Sequence, residues 1–310
     1  MKTIYLILLQ VLLCFCNISI SAQEVSDSIV SVPRDSILKT PIIEEQTNKT
    51  ENEQIVQEFL RIYSSANYSP SELVFYAAKY LLNTPYMDKT LEIYPEEQLV
   101  VNLKELDCMT FVENCLALSR TIQYPYPDFD YFVRQLRYIR YRGGVIIGYP
   151  SRLHYTCDWI TDNINKNVVE DITCGIGGKK FQPSVSFMSS HKEKYPVLRS
   201  KPEYVEKMKE IEAEINQRTT YYFIPKNELR EALPKIKNGD IICFTTDLTG
   251  LDISHMGVAC WDKRQLTFIH ASSKYKKVIL NPESLVDYCT INKHTTGIIV
   301  LRVIKLEMKK

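Results

Sequence analysis

Apolar positions in the first half of the chain follow a helical period, with repeats three and four residues apart. The stretch EQIVQEFLRIYSSA from Glu53 and the stretch SPSELVFYAAKYLLNT from Ser69 both show this spacing, which predicts two amphipathic helices. In the second stretch, Ser69 is suited to cap the helix and Pro70 to occupy its first position. A third stretch, CMTFVENCLALS from Cys108, is apolar on nearly every side, which is typical of a buried helix.

From Lys237 onwards the pattern changes to short apolar runs separated by turn residues, which indicates β-strands. The segments KNGDIICFTT, SHMGVACW, LTFIHASS and TTGIIVLRVI each contain one predicted strand. A helical front half followed by a strand-rich back half is typical of the α+β class. Between the two halves, from about residue 122 to 238, lies a long stretch of mixed pattern.

The N-terminal segment has the layout of a secretion signal. A lysine stands at the second position, an apolar run broken by one glutamine follows, and small residues end at Ala22. We therefore expect residues 1–22 to be a cleaved signal peptide, because the apolar run is short for a membrane anchor. Residues 23–52 contain no aromatic residue and many polar ones, which predicts a flexible linker ahead of a folded domain at 53–310.

The net charge and the cysteines indicate which partners and which kinds of site to expect. The net charge of +1 gives no indication of a nucleic-acid or membrane-surface partner. Two of the nine cysteines lie in the predicted signal, and the remaining seven leave at least one thiol unpaired. The apolar surroundings of Cys243 and Cys260 favour reduced, buried thiols, and no CxxC spacing indicates a zinc ribbon. Cys14 and Cys16 do not follow small residues, so we expect periplasmic export rather than an outer-membrane lipoprotein.

Cys108 stands directly after Asp107, a residue suited to be the N-cap of the buried helix. The positive end of a helix dipole and a neighbouring imidazole can lower a thiol pKa by several units from about 8.5. A cysteine in an apolar helix is nevertheless more often a packed core residue. The position of Cys108 alone leaves both roles open.

Two histidines lie on the predicted strands around residues 255 and 270. If the turn between Trp261 and Leu266 has an even length, these two residues pair and the pairing continues as far as the histidines. His255 and His270 then lie on one face, with Cβ atoms about 7 Å apart or a little less. Gly257, opposite His270, would leave room beside both rings. A turn of odd length would place the histidines on opposite faces of the sheet.

Two histidines on one face and a cysteine at a helix N-terminus are the components of a thiol hydrolase. His255 would take the proton of Cys108 and later give it to the leaving amine. His270 would orient the ring of His255, and the backbone N–H of Cys108 would help to stabilise an oxyanion. A zinc site made of the two histidines and the cysteine, with Asp107 or Asp252 as a further ligand, is the alternative.

The segments LDCMTFVE, NGDIICF, SHMGVACW and LTFIHASSKYKKVI, in this order, resemble the papain-like NlpC superfamily of peptidoglycan hydrolases. The resemblance implies a papain-like fold in which a catalytic cysteine at a helix N-terminus packs on an antiparallel sheet. By position, Cys108 matches the nucleophile, His255 the catalytic histidine and His270 the third residue. Tyr86, in LLNTPYMDKTLE, matches a tyrosine that often lines the active site of that superfamily, and an ordinary half-buried tyrosine is the alternative.

The pattern TPY, TLE, LDCMTFVE, YRGG, SRLHYTCDWITDN and HASS more closely resembles the N-acetylmuramoyl-L-alanine amidase-like branch, over about residues 70 to 305. This resemblance implies hydrolysis of the amide between N-acetylmuramic acid and L-alanine, with released anhydro-muropeptides as partners and no cofactor or metal. One alternative is an endopeptidase of the same superfamily that cuts between D-glutamate and the diamino acid. Another is a non-catalytic peptidoglycan-binding module, which the presence of all three residues opposes.

The long stretch between the cysteine helix and the strands is expected to be an insertion that shapes the substrate cleft. Tyr155 and Trp159 would share a helical face there, and either aromatic ring could stack on a sugar. Arg152 could pair with a peptide carboxylate, and His154 belongs to the same candidate substrate-binding group. The structural alternative places Trp159 in the core and pairs Arg152 with Asp158.

Overall fold

The computed structural model describes residues 49–307. The predicted signal peptide (1–22) lies outside this range, as does the linker (23–52) up to residue 48. The first helix begins at Lys49, earlier than the predicted Glu53. None of the helices between residues 49 and 307 is both long and apolar enough to cross a membrane.

Ten α-helices and eight β-strands are present within residues 49–307. The helices are α1 (Lys49–Tyr63), α2 (Pro70–Tyr80), α3 (Cys108–Ile122), α4 (Phe129–Arg140), α5 (Thr156–Asn165), α6 (Phe187–Ser190), α7 (Pro196–Ser200), α8 (Pro202–Gln217), α9 (Leu229–Ala232) and α10 (Leu285–Ile291). The strands are β1 (Val169–Asp171), β2 (Lys179–Lys180), β3 (Tyr222–Pro225), β4 (Ile241–Thr246), β5 (Ile253–Asp262), β6 (Gln265–Ser272), β7 (Lys277–Leu280) and β8 (Thr295–Val303). Short 3-10 segments lie at Arg142–Gly144, Tyr149–Ser151, Cys174–Ile176, Lys192–Lys194 and Leu233–Lys235.

All eight strands belong to one antiparallel sheet. Its order is β2-β3-β8-β4-β5-β6-β7, and β1 pairs with the C-terminal end of β8. Every residue of β4 is buried, because the sheet is covered on both faces at its centre. The α+β class and the antiparallel sheet are therefore confirmed.

The larger core lies between the helices α1 to α4 and one face of the sheet. Its centre is α3, which is buried from Thr110 to Thr121, as its apolar pattern predicts. Glu113 lies within this buried segment and accepts a hydrogen bond of 2.7 Å from Nε of Arg140, so neither charge is left unpaired. A smaller core on the opposite face packs α9 and α10 against Phe244 and Phe268.

The long connection from about residue 122 to 238 contributes to three parts of the fold. Helix α4 packs on α3 in the larger core, and β1, β2 and β3 extend the main sheet. The rest forms a third core of its own, made of Tyr149, Tyr155, Cys157, Val185, Met188, Leu198, Val205, Met208, Ile211, Ile215 and Tyr221. This third core is tied to the start of β5, because Asp252 Oδ2 accepts the N–H of Cys157 at 2.6 Å. A β-bridge between Val185 and Gly250 adds a second link.

Candidate active site

Cys108 is the first residue of α3, and the backbone around it is fixed by a reciprocal cap. The N–H of Thr110 donates to Asp107 Oδ1 at 2.8 Å, while the N–H of Asp107 donates to Oγ1 of Thr110 at 2.9 Å. Asp107 is thus the N-cap, as predicted. The half-buried side chain of Cys108 is held where the N–H groups of the first helical turn are directed.

The two histidines meet on one face of the β5–β6 hairpin. Trp261 pairs with Leu266, and the turn beyond the last strand pair has two residues, with Lys263 at φ 55°. This even length was the condition for placing both rings on one side. His255 Nε2 lies 2.6 Å from His270 Nδ1, and the two rings are nearly perpendicular. The prediction of a same-face histidine pair is confirmed.

The β5–β6 ladder ends sooner than expected. Its last pair is Val258 with Ile269, so the predicted pairing does not continue as far as the histidines. Since the N–H of Ala259 points toward β4, alternation along the strand directs the N–H of Met256 toward β6. Beyond the ladder this N–H is available to another partner, and it is one of the groups that act on the Cys108 thiol.

Two local features accompany this early end. The β4–β5 register shifts between Phe244 and Thr245, next to His255, and such a bulge increases the twist of the strands. A Cβ atom at Gly257 would lie 2.7 Å from Cδ2 of Phe268 and 3.3 Å from Cβ of His270. Only a glycine allows this close approach, and the Phe268 ring fills the space beside Gly257 that the sequence predicted would be open.

Aromatic rings of the smaller core surround the histidine pair. The ring centroid of Phe244 lies 5.9 Å from that of His255, and the centroid of Phe268 lies 4.7 Å from that of His270. Tyr288 in α10 contacts both imidazoles and is also within electrostatic range of the Cys108 thiol. Tyr288 was not found from the sequence, because nothing local to α10 indicates which strand end it covers.

Burial dominates the ionisation of these groups. It raises the pKa of Cys108 to about 12, the charge of Asp107 adds to the effect, and backbone N–H groups including that of Met256 oppose it. The expected lowering of this thiol pKa is wrong, because desolvation outweighs the helix N-terminus. Burial also lowers the pKa of His255 to about 3, with a contribution from the charge of His270, and lowers that of His270 to about 4. A protonated thiol and neutral imidazoles therefore coexist near pH 7.

Tyr86 lies next to the N-terminus of α3. Its N–H donates to the carbonyl of Lys276 at 2.9 Å, and it forms a β-bridge with Leu106, two residues before Cys108. Burial raises the pKa of Tyr86 to about 12, and the charges of Cys108 and Asp107 add to this shift. The half-buried ring is thus near the thiol, and its contact with a substrate stays a prediction.

A pocket of about 370 Å³ opens beside the histidine pair. Ser272, Lys274, Asn281 and Tyr288 contribute to its wall together with both imidazoles. Glu283 is the single carboxylate among the described residues that line it. The imidazoles therefore border a space into which a small polar ligand fits.

Residues 76–298 match the model of the AmiA-like family, the N-acetylmuramoyl-L-alanine amidase-like proteins. The chain belongs to this family.

Solved structures agree with the family match. An N-acetylmuramoyl-L-alanine amidase from Bacteroides uniformis is 40% identical, with a TM-score of 0.72 over 75% of this chain and 99% of that chain. A protein from Bacteroides fragilis, provisionally described as a xylanase, is 41% identical, with a TM-score of 0.71 over 74% of this chain and 100% of that chain. A Legionella pneumophila protein at 23% identity shares the fold, with a TM-score of 0.64 over 82% and 94% of the two chains. No curated protein matches the chain significantly.

In the insertion of this AmiA-like protein, the buried charged residues form ion pairs. Arg152 is buried, forms an ion pair with Glu92, and places Nε 3.5 Å from the carboxylate of Glu97. Its guanidinium also stacks 4.9 Å from the ring centroid of Tyr149. Arg152 does not pair with Asp158, so the sequence identified neither of its partners. Its charge is already balanced in this structure, and a role in binding a substrate carboxylate stays a prediction.

Asp158 is buried and shared by two other arginines. Its Oδ2 lies 2.6 Å from Nη2 of Arg142, and its Oδ1 lies 2.8 Å from Nη1 of Arg218. His154 is half-buried, with Nε2 2.9 Å from the carbonyl of Tyr149 and its ring packed against the Tyr149 ring. These contacts hold the third core together.

The aromatic residues proposed for sugar stacking are inside the protein. Trp159 is completely buried in the larger core. Tyr155 is buried in the third core, where its hydroxyl donates to Glu212 Oε1 at 2.7 Å and accepts the N–H of Met188 at 2.9 Å. Neither ring has an exposed face, so the structure corrects the prediction that they stack on a sugar.

The sequence also raised the alternatives of a zinc site and of paired cysteines. Asp107 is occupied as a helix cap, and both carboxylate oxygens of Asp252 accept backbone N–H groups. Among residues 49–307 there is no cluster of three His, Cys, Asp or Glu side chains that could hold a metal ion. All seven cysteines of this part of the chain are unpaired, and most are buried, as expected; Cys174 is exposed.

Proposed function

We propose that this AmiA-like protein is a cysteine amidase that hydrolyses the amide between N-acetylmuramic acid, or its anhydro form, and L-alanine in peptidoglycan fragments. Cys108 acts as the nucleophile, His255 as the base and His270 as the residue that orients it, in a papain-like fold of the NlpC type. One observation carries this proposal: His255 and His270 are in contact at 2.6 Å, and His255 is the neighbour of Met256, whose backbone N–H lowers the pKa of the Cys108 thiol. The amidase from Bacteroides uniformis supports the choice of bond.

The ionisation of the site determines how the reaction begins. Because burial keeps the Cys108 thiol protonated and His255 neutral, the thiolate forms during attack rather than before it. The sulfur bonds to the lactyl carbonyl carbon of the muramic acid while His255 takes the thiol proton. The resulting oxyanion is stabilised by N–H groups at the start of α3, including that of Cys108.

Three proton transfers complete the cycle. The tetrahedral intermediate collapses, the C–N bond breaks, and His255 gives its proton to the amine of L-alanine, so the free peptide leaves first. A water molecule then attacks the thioester as His255 takes one of its protons. Breaking the C–S bond returns that proton to the sulfur of Cys108 and releases the muramic acid carboxyl group. No cofactor enters either step.

The location and the substrate size belong to the same proposal. An exported enzyme in the periplasm would meet soluble anhydro-muropeptides, and the pocket of about 370 Å³ beside the histidines has room for part of such a fragment. Glycoside hydrolysis ordinarily uses two facing carboxylates. The described wall of this pocket contributes only Glu283, so a xylanase activity is not favoured.

Product analysis on a defined anhydro-muropeptide with a tetrapeptide stem tests the proposal. The amidase releases the intact tetrapeptide and the free sugar acid, both of which mass spectrometry identifies. A dipeptide left on the sugar would instead indicate the endopeptidase. Binding without any product would indicate a non-catalytic module.

A pair of cysteine variants tests the nucleophile. Cys108→Ala should abolish peptide release while the protein stays folded, because no other group at this position can form the thioester. Cys174→Ala is the matched control, since it removes an exposed thiol outside the site and should keep full activity. Activity in the Cys108→Ala protein would end the proposal.

A further inference from the structure

The proposed reaction requires a particular tautomer of each histidine. His255 Nε2 faces His270 Nδ1 at 2.6 Å, so one hydrogen lies between these two nitrogens. Only Nδ1 of His255 remains to accept the thiol proton, and its Nε2 must then carry hydrogen and donate to His270. His270 Nδ1 is therefore an acceptor, and the hydrogen of the neutral His270 ring must be on Nε2.

This second N–H needs an acceptor in a buried place. His270 is 4% exposed, and within residues 49–307 its Nε2 atom makes no hydrogen bond of standard geometry. A buried donor without a partner costs about 1–3 kcal/mol. The ring would avoid this cost by moving its hydrogen to Nδ1, which would reverse the bond to His255 and prevent it from acting as the base.

Asn281 lies on the same face of the sheet as His270, because it stands opposite Phe268, two residues before the histidine. It is also 4% exposed and lies in the wall of the pocket beside both imidazoles. Burial lowers the pKa of His270, and hydrogen bonding to Asn281 opposes that shift, which is the effect of an acceptor facing a ring N–H.

The orientation of the Asn281 amide follows from its other contacts. Its Nδ2 donates to the carbonyl of Glu283 at 2.9 Å, so Oδ1 is the atom left to face His270. Its backbone N–H donates to Phe268 at 2.9 Å, and its carbonyl accepts Oγ1 of Thr267 at 2.8 Å. The turn after β7 is thus fixed at three points, and the amide cannot rotate without losing the bond to Glu283.

We propose that Asn281 is a positioning residue whose Oδ1 accepts the Nε2–H of His270 and thereby selects the tautomer that lets His255 act as the base. The inference rests on the proposed function only for its effect on catalysis. The full relay is the thiol of Cys108, the two imidazoles, the amide of Asn281 and the carbonyl of Glu283. In this structure the contact does not have standard hydrogen-bond geometry, and we expect it to shorten in the substrate complex, since catalytic hydrogen bonds are often long in the free enzyme.

Nitrogen NMR of the histidines tests the tautomer without reference to activity. The chain has five histidines, and a His270→Gln variant identifies the signals of this ring. The wild type should show His270 protonated at Nε2 and unprotonated at Nδ1 near pH 7. In Asn281→Ala the population protonated at Nδ1 should rise. An unchanged tautomer in Asn281→Ala would overturn the proposal.

Kinetics on the anhydro-muropeptide test the consequence. Asn281→Ala should lower kcat about 10- to 100-fold with KM within about twofold, because an orienting group is lost and no substrate contact is removed. Asn281→Asp keeps an acceptor and should recover most of kcat. Its acid limb should move to higher pH, because a carboxylate favours the protonated ring.

Thr267→Val is the matched control. It removes the hydroxyl that holds the same turn but touches neither imidazole, so kcat should stay within about threefold. Equal losses in Thr267→Val and Asn281→Ala would show that the turn, and not the acceptor, matters. A wild type with no activity on any muropeptide would refute the proposed function, whereas the tautomer result would still decide the role of Asn281.

Discussion

The sequence offers two groups of candidate site residues, the charged residues of the insertion and the histidine pair of β5 and β6. Their surroundings differ in the structure. In the insertion, Arg152 pairs with Glu92, and Asp158 pairs with two arginines, so each buried charge is balanced by a neighbour. At the strand ends, His270 Nε2 has no standard hydrogen bond among the described residues, and the imidazoles border an open pocket. Arg152 Nε and Glu92 Oε2 also lack a standard hydrogen bond, so the two groups differ in charge pairing and not in hydrogen bonding. Buried charges that face an opposite charge stabilise the fold, whereas neutral titratable rings beside a cavity are available for chemistry.

The largest effect should come from removing the base. His255→Ala should lower kcat/KM at least about 10³-fold, because proton transfer from the thiol and to the leaving amine both depend on this ring. The free energy of unfolding should change little in comparison, since His255 is only half-buried and borders the pocket. Steady-state assays on the anhydro-muropeptide and urea denaturation measure the two quantities.

His191→Ala is the control for this variant. His191 lies in the insertion and packs on Phe187, away from the histidine pair. Its loss should leave kcat/KM within about twofold. If His255→Ala lost activity only in proportion to its loss of folded protein, His255 would have a structural role and not a catalytic one.

In the insertion, we expect a substitution to lower stability and to change activity little. Arg152→Ala should lower the free energy of unfolding by about 3–5 kcal/mol, because it leaves the buried carboxylate of Glu97 and that of Glu92 without a cation. The folded fraction should keep kcat/KM within a few-fold. An unchanged urea midpoint together with a large rise in KM would instead assign Arg152 to substrate binding.

The sequence predicts the local features of the site but not the contacts between distant residues. The even turn after Trp261 and the cap at Asp107 are local, so the meeting of His255 and His270 and the start of α3 could be predicted. The α+β class followed from the change of period near Lys237.

What the sequence could not provide was the identity of distant partners. Arg152 meets Glu92 across 60 residues, and no local pattern selects this carboxylate over Asp158. The β5–β6 ladder ends at Val258, near a register shift between β4 and β5, and alternation alone indicates neither feature. Asn281 could in principle have been predicted, because the β6–β7 pairing places it opposite Phe268 and so on the same face of the sheet as His270.

A smaller effect should distinguish Tyr155 as a core residue. Tyr155→Phe removes a hydroxyl that bridges Glu212 and the N–H of Met188, and it should cost about 1–3 kcal/mol of unfolding free energy. KM for the muropeptide should not change, because the ring is buried. A rise in KM with normal stability would return Tyr155 to the substrate cleft.

The smallest expected effect is on the pH dependence of the free energy of unfolding. The pKa of His255 is about 3 and that of His270 about 4 in the fold, while an unfolded histidine has a value near 6.5. Between about pH 6.5 and 4 the unfolded chain therefore binds protons that the folded chain does not, so stability is full above pH 6.5 and falls as the pH drops. Each ring adds up to about 1.4 kcal/mol per pH unit to this slope.

Urea denaturation from pH 7 to 4 measures the slope, and a His255→Gln, His270→Gln double variant should show a shallower one. Tyr155→Phe is the matched comparison from the insertion, because a phenol does not ionise in this range and its loss should lower the whole curve without changing its slope. Identical slopes in the wild type and the double histidine variant would mean that burial does not lower the pKa of either ring below its ordinary value near 6.5. His255 would then be partly protonated just below neutral pH, and desolvation of the histidine pair would no longer distinguish it from the paired charges of the insertion.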